Sequence, residues 1–161
     1  MVKKPAALMV LLAFSMMLAA CDSTPGPVTT LMGQITDACQ KRDKEALRAC
    51  YAKEGVTANQ IDQQVQGWWD GYMNPGMKYS YTGIKYVSMA DAPGNKDIMP
   101  DWITSAQGQT LGGIKFEPNL KVIGFILVAY QQPTGEQAGE TAFVGMAPDG
   151  TAKIVSIEPQ K

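Results

Sequence analysis

Apolar residues recur at helical spacing in the first half of the chain and predict three helices. Val28 to Gln40 carries one apolar stripe, and Pro27 suits the first turn of such a helix. Asp43 is placed to cap a second helix over Lys44 to Lys53, which Gly55 then stops. Both helices are therefore expected to bury one face against the rest of the domain.

The third helix follows a short stretch with capping-box spacing, Thr57 to Gln60. Residues 74–76, an Asn-Pro-Gly sequence, are typical of a turn and are expected to end it. Its buried stripe is predicted to consist of four apolar or aromatic side chains, those of Ile61, Val65, Trp68 and Tyr72.

After this helix the pattern changes to the alternation of β-strands. Tyr79 and Tyr81 alternate on one face, whereas Ile84 and Tyr86 fall on the other. The change of face occurs at Gly83, which predicts a bulge or bend there.

Two apolar runs and two turns follow. Leu120 to Tyr130 is apolar on both faces, which predicts a central strand covered on both sides. Residues 133–135 and 148–150 contain Pro and Gly and predict turns on either side of a strand at Thr141 to Met146. Thr151 to Glu158 is expected to form the last strand.

This order of elements, helices first and strands afterwards, indicates an α+β fold. The N-terminal helices are expected to pack on one face of a curved antiparallel sheet. Residues 28–161 have the length of a single domain with its own core.

The chain opens with the features of a secretory signal. Lys3 and Lys4 precede Ala6 to Ala20, an apolar run too short for a comfortable bilayer span of ~20 residues and rich in small residues at its end. Residues 1–20 are therefore predicted to be a signal peptide. The alternative is an N-terminal anchor helix that is never cut.

The end of this run, Leu18-Ala19-Ala20-Cys21, resembles the lipobox of bacterial lipoproteins. The resemblance implies lipid attachment at Cys21, cleavage before it, and a membrane partner reached through acyl chains such as palmitate. In such proteins aspartate at the next position, here Asp22, favours the inner membrane facing the periplasm, with the outer membrane as the alternative. Residues 21–27 then form the lipidated cysteine and a short polar tether.

Charge and composition exclude several function classes. The chain has 14 basic and 15 acidic residues and no extended basic block, so nucleic-acid binding is not expected. It has no histidine, which removes histidine-based triads and histidine metal sites, and no Cys-x-x-Cys spacing. No metal site and no cofactor are predicted.

Two short stretches resemble the nuclear transport factor 2-like superfamily. Arg42 to Leu47, followed by Tyr51, is similar to its "gD-x-eal…ly" opening, and Asp149 to Val155 is similar to its closing "dG-x-W-k-I" strand pair, with Ala152 at the tryptophan position. The resemblance implies a cone-like fold, nuclear transport factor 2-like or cystatin-like, with a cavity at its wide end. Ketosteroid isomerase-like members of the superfamily use aspartates and a tyrosine for acid–base catalysis.

Cys39 and Cys50 lie in the apolar stripes of the first two predicted helices. A turn near Asp43 would bring these helices antiparallel, and the exported compartment favours oxidation, so a disulfide is expected. The alternative is a pair of buried free thiols.

An aromatic set could line a ligand cavity, although packing in the core is the favoured explanation for Trp68 and Tyr72. Trp69 and Trp102 are the better cavity candidates, because neither belongs to a clean core pattern; a short helix is conceivable around Trp102. The full set of candidates is Trp68, Trp69, Tyr72, Tyr79, Tyr81 and Trp102.

Acid–base chemistry would require a carboxylate inside such a cavity. Glu140 shares the strand alternation of Ala142 and Val144, so its side chain is the best inward-facing candidate; Asp70 and Glu117 are weaker ones. The ordinary interpretation of each is a solvated strand end or helix face.

The sequence therefore predicts a membrane-anchored, periplasm-facing lipoprotein that is non-catalytic and binds a small apolar ligand or an envelope partner protein. The alternative is an isomerase- or dehydratase-like enzyme that uses Glu140 with Tyr72, Tyr79 or Tyr81.

Overall fold

A computed structural model describes residues 24–53, 58–91 and 121–155, together with the backbone of two short strands at 110–111 and 114–115. Its helices are α1 (Gly26–Lys41), α2 (Lys44–Ala49) and α3 (Ala58–Trp68). The predicted cap at Thr57, the stop at Gly55 and the stretch around Trp102 lie outside the described residues.

Helix α1 forms as predicted and ends in a left-handed residue. Pro27 occupies its first turn, and one stripe of side chains, from Val28 to Cys39, is buried. Arg42 has φ 54°, and the N–H of Asp43 reaches back to the carbonyl of Ala38 at 2.9 Å. This geometry satisfies the last carbonyls of the helix and turns the chain at once into α2.

Helix α2 is shorter than its predicted span. Asp43 caps it as expected, since its Oδ1 accepts a bond from the Ala46 N–H at 2.9 Å. The helix ends at Ala49 rather than Lys53, because Ala52 donates its N–H to the carbonyl of Ile154 at 2.9 Å. Pairing with a strand far along the chain therefore overrides local helix propensity.

Helix α3 buries Ile61, Val65 and Trp68 and then widens into a π-helical turn, Trp69–Met73. The N–H of Asn74 bonds the carbonyl of Trp69 at 2.8 Å, five residues back. A 3-10 turn, Pro75–Met77, follows. The prediction that the α-helical stripe continues to Tyr72 is wrong, because the widened turn buries Met73 and leaves Tyr72 half-exposed.

Four strands form an antiparallel sheet in the order β1 (Ser80–Ser88), β4 (Lys121–Gln131), β5 (Gln137–Met146) and β6 (Ala152–Val155). In the described part of the chain this sheet does not close on itself. The strands β2 (Thr110–Leu111) and β3 (Ile114–Lys115) form a separate antiparallel pair. The predicted α+β class, with helices beside an antiparallel sheet, is confirmed.

Both faces of the sheet are apolar. The face that contacts the helices contributes Ile126, Val128 and Ile154 to the main core. The other face contributes Phe125, Phe143, Val87 and Val155 to a second cluster, which also contains Ala52 from the segment after α2. Strand β4 supplies both clusters, which confirms the prediction of a central strand covered on both sides.

Glycines mark the irregular points of the sheet. The β1–β4 register shifts between Tyr81 and Gly83, which confirms the predicted bulge. A second shift lies between Val122 and Gly124, where an added Cβ would sit 2.4 Å from the carbonyl oxygen of Val87.

The two predicted turns are confirmed. Gly135 (φ 86°) and Gly150 (φ 82°) both take left-handed backbone conformations that favour glycine. Strand β5 begins at Gln137, four residues before its predicted start, because it pairs with the whole length of β4. The part of the predicted last strand beyond Val155 lies outside the described residues.

Candidate functional site

A cleft of about 490 Å³ opens between helix α3 and the strands β5 and β6. We call it the Glu140 cleft. Its size falls within the range of ordinary ligand pockets, roughly 300–1,000 Å³. Its walls are mixed apolar and polar, formed by Tyr51, Gln60, Gln63, Gln64, Gly67, Trp68, Glu140, Thr141, Ala142, Phe143, Ile154 and Val155.

Glu140 is half-buried and lines this cleft from β5. Burial raises the pKa of its carboxyl above the ordinary value of 4.5, and a backbone hydrogen bond at Thr141 offsets part of that effect. Neither of the two salt bridges in the described part of the chain involves Glu140. The best acid candidate of the sequence therefore lies in a cavity wall.

The tyrosine that lines this cleft together with Glu140 is Tyr51, which the sequence analysis did not select as a site residue. Tyr51 is buried beside the cleft, and its pKa is raised by burial first and by the charge of Glu140 second. Tyr51 falls within the predicted span of the second helix, Lys44 to Lys53. Only the pairing of this segment with β6 brings it to the cleft.

Of the three tyrosines nominated beside Glu140, the structure brings one near it. Burial and then the charge of Glu140 raise the pKa of Tyr72, whose hydroxyl donates to the carbonyl of Gly139 at 3.0 Å. Tyr79 donates to Glu136 at 3.1 Å. The Tyr81 hydroxyl lies 2.8 Å from Thr36 Oγ1, and so neither of these two faces the Glu140 cleft.

Behind the cleft wall lies a buried polar chain centred on Tyr130, which is 2 % exposed. Trp68 donates its indole N–H to the Tyr130 hydroxyl at 2.6 Å. The same hydroxyl lies 3.1 Å from Cys39 Sγ. The Tyr72 ring stacks on the Tyr130 ring with 4.8 Å between centroids. Trp68 is thus both a cleft wall and a fixed part of the core.

A second, smaller cleft of about 220 Å³ lies on the other side of these buried polar contacts around Tyr130. We call it the tyrosine cleft, since its walls include Tyr72, Tyr79, Tyr81 and Tyr130. Arg42 also lines it, but its guanidinium is already engaged and donates to the carbonyls of Met73 and Tyr79, each at 2.9 Å. This arginine therefore joins α1 to the start of the sheet.

The candidate aromatic residues do not form a single cavity. Trp68 belongs to the Glu140 cleft, whereas Tyr72, Tyr79 and Tyr81 belong to the tyrosine cleft. Trp69 is half-buried, and Lys44 Nζ lies 5.5 Å from the centre of its ring. Trp102 is outside the described residues.

Cys39 and Cys50 are both buried free thiols in the structure. Cys50 Sγ donates to the carbonyl of Ala46 at 3.4 Å. Burial raises the pKa of each thiol to about 11, so little thiolate is present at neutral pH. Such thiols suit a structural rather than a nucleophilic role, and their pairing in an oxidising compartment stays a prediction.

Within the described ranges, no group of acidic or cysteine side chains is arranged to hold a metal ion. No helix among those same residues is long and apolar enough to cross a membrane. Cys21 and Asp22, the predicted lipidation and sorting residues, lie outside them.

These features define an α+β domain with one larger cleft and a buried polar chain behind it. Comparison of the chain with protein-family models, with curated proteins and with solved structures found no match.

Proposed function

We propose that this protein is a lipid-anchored lipoprotein of the bacterial envelope whose domain binds a small ligand in the Glu140 cleft without transforming it. The observation that carries the binding proposal is the cleft itself, about 490 Å³ in volume and walled by Trp68, Tyr51 and Ile154. Apolar and aromatic walls with a few polar groups are the usual composition of a ligand site. The sequence predicts an apolar ligand. Because the cleft is also lined by polar side chains, we propose a ligand that is partly polar.

The proposed fold is the cone of nuclear transport factor 2-like and cystatin-like domains. Two structural facts support it. The motif around Asp43 caps α2, and the Asp149–Gly150 turn leads into β6. The cleft also opens where the helices meet the sheet, which is where such a cone would have its wide end.

The anchor rests on the lipobox resemblance and on the spacing between Cys21 and α1. Helix α1 begins at Gly26, five positions after the lipid-bearing cysteine, so four residues separate the two. An extended tether of that length spans at most ~18 Å, which holds the domain close to the bilayer surface. Asp22 favours retention in the inner membrane, facing the periplasm.

Labelled palmitate tests the anchor directly. The wild-type protein should incorporate the label, and Cys21→Ser should not. Asp22→Ser serves as a matched control, because it should keep the label while changing the membrane fraction that contains the protein. Label in the Cys21→Ser protein would contradict the proposed anchor.

Nuclear magnetic resonance tests the ligand site. Small amphipathic compounds such as benzyl alcohol should shift the backbone amide signals of Thr141 and Ala142, which lie in the cleft wall. The amide of Gly33, on the exposed side of α1, should not move. Shifts spread over the surface, or none at all, would argue against a ligand site and favour an envelope partner protein.

The second candidate function is acid–base catalysis of the isomerase or dehydratase type. The observation that favours it is a carboxyl with a raised pKa in a cleft beside Tyr51. Deuterium exchange at the α-carbon of cyclohexanone is a general assay for such a base. Exchange that the wild type accelerates and Glu140→Gln does not would establish catalysis, whereas no acceleration would leave the binding role.

A further inference from the structure

We infer that the Glu140 cleft selects cations, and that its ligand class is a primary or secondary amine with a small flat or apolar body. This inference rests on the proposed ligand site and specifies its chemistry. It follows from the distribution of charge over the cleft wall, from the state of Glu140 and from the nature of the surrounding rings.

Glu140 is the sole charged residue among the described residues that line the cleft. The other polar side chains of the wall are three glutamines and the hydroxyl-bearing Thr141 and Tyr51. A site of this composition offers an anion no cationic partner, since no lysine or arginine is among its lining residues. Its electrostatic potential is set by one carboxylate in a partly desolvated position, where a charge interacts more strongly than in water.

The Glu140 carboxylate is not neutralised by the domain. The salt bridges between described residues join Lys41 to Asp37 and Arg48 to Asp62, both at 2.9 Å, and none of these four residues lines the cleft. Lys153, on the neighbouring strand, donates instead to the carbonyl of Ala49 at 3.1 Å. The Glu140 carboxylate has lost hydration, and the backbone hydrogen bond at Thr141 offsets only part of that loss. A ligand ammonium group would supply the missing counter-charge.

The titratable groups that face Glu140 from the packed elements are all phenols. They are Tyr51 after α2, Tyr72 in the π-helical turn and Tyr130 on β4, and each has its pKa raised. These hydroxyls stay neutral over the physiological range. The charge of the cleft therefore changes with the ionisation of Glu140 alone, and the affinity for a cation must change with it.

The rest of the wall suits the apolar part of an amine. Trp68 and Tyr51 contribute aromatic atoms to the cleft, and Ala142 and Ile154 contribute aliphatic atoms, each through the 5 % or less of its surface that is exposed. Aromatic rings also attract cations through their π faces. A ligand with a ring and an ammonium group one or two carbons away would satisfy both parts of the wall.

The test compares three ligands of one shape and different charge. Benzylamine, benzyl alcohol and benzoate are titrated into the full-length protein in a zwitterionic detergent, with ligand-observed nuclear magnetic resonance as the readout. Benzylamine should bind about tenfold more tightly than benzyl alcohol, the change typical of one charge-assisted contact. Benzoate should not bind.

Two variants assign the effect to Glu140. Glu140→Gln should reduce benzylamine to the affinity of benzyl alcohol, whereas Glu140→Asp should keep a preference for the amine. Glu136→Gln is the matched control, because Glu136 is an exposed glutamate immediately before β5 and lies outside the cleft. It should leave all three affinities unchanged.

The pH profile separates this inference from its main rival, a protonated Glu140 that donates a hydrogen bond to a carbonyl ligand. Benzylamine affinity should increase as the pH rises from 4.5 through the pKa of Glu140 in the folded protein. Affinity that falls over this range, or equal binding of benzyl alcohol and benzylamine, would overturn cation selection while leaving the ligand site intact. No binding by any of the three compounds would overturn the ligand site as well.

Discussion

Removing one hydroxyl from the core, by Tyr130→Phe, should destabilise the domain more than the loss of a single exposed hydrogen bond. The Tyr130 hydroxyl accepts the indole N–H of Trp68 at 2.6 Å and contacts Cys39 Sγ at 3.1 Å. Trp68 is 3 % exposed and Tyr130 is 2 % exposed, so the missing acceptor lies in the core, where replacement by water is unfavourable. The substitution keeps the ring and its stacking on Tyr72, and therefore isolates the polar contribution.

The magnitude follows from the group left behind. A buried donor without a partner costs about 1–3 kcal/mol. A phenylalanine needs no desolvation of a hydroxyl, which places the net loss in the middle of that range, at roughly 2 kcal/mol. For a domain of this size each kcal/mol corresponds to roughly 4 °C in Tm, so the expected decrease is about 8 °C.

Urea unfolding followed by circular dichroism measures the loss, with Tyr72→Phe as the matched control. Tyr72 also loses one hydroxyl, but it is half-exposed, and its partner, the carbonyl of Gly139, lies at the surface and can be hydrated. The control should therefore cost no more than about 0.5–1 kcal/mol.

The reasoning would be refuted if the two variants were equally stable. It would also be refuted if Tyr130→Phe had the same free energy of unfolding as the wild type. That result would mean that the hydrogen bond from the Trp68 indole N–H contributes nothing to stability. A change in the urea m-value would indicate an altered denatured state rather than a lost hydrogen bond.

Three further predictions concern backbone packing, the thiols and ionisation. Gly124→Ala should cost about 1–3 kcal/mol in urea unfolding, because its Cβ would lie 2.4 Å from a backbone oxygen, whereas Gly83→Ala, with open space around it, should cost less than about 1 kcal/mol. Protein isolated from the envelope should show Cys39 linked to Cys50 in a non-reducing peptide map, and reductant should lower its Tm; free thiols there would contradict the pairing. The pKa of Glu140 is higher in the folded protein than in the unfolded chain, so folding favours the protonated carboxyl. The contribution of Glu140 to the free energy of unfolding is therefore fully present below pH 4.5 and is lost as the pH rises through the folded pKa. Glu140→Gln should therefore be more stable than the wild type at pH 7, with the difference vanishing below pH 4.5, and a difference independent of pH would refute the assignment.

Local chemistry made much of the fold predictable. The Asp43 cap, the bulge at Gly83 and the turn at Gly150 each depend on neighbouring residues, and each forms as expected. The end of α2 does not, because the Ala52 N–H and the Cys50 carbonyl bond Ile154, more than a hundred residues away, instead of continuing the helix. No local pattern contains that competition.

The candidate site was also predictable only where it depends on local sequence pattern. Strand alternation was enough to direct attention to Glu140, because Ala142 and Val144 on the same strand are apolar. It could not identify Tyr51 as its neighbour, nor separate the tyrosines into a second cleft. The positions of these tyrosines depend on tertiary contacts and on the π-helical turn, and no periodicity within Trp69–Met73 predicts that turn.

The π-helical turn amounts to one extra residue accommodated inside a helix. It allows Met73 to be buried while Tyr72 stacks on Tyr130 and extends its hydroxyl to Gly139, the neighbour of Glu140. A chain shorter by one residue between Trp69 and Met73 would close the turn into a regular α-helix and separate these positions by about 100° around the axis. The number of residues in this segment, more than their identity, would then decide whether a homologous protein keeps the Glu140 cleft and the tyrosine cleft apart.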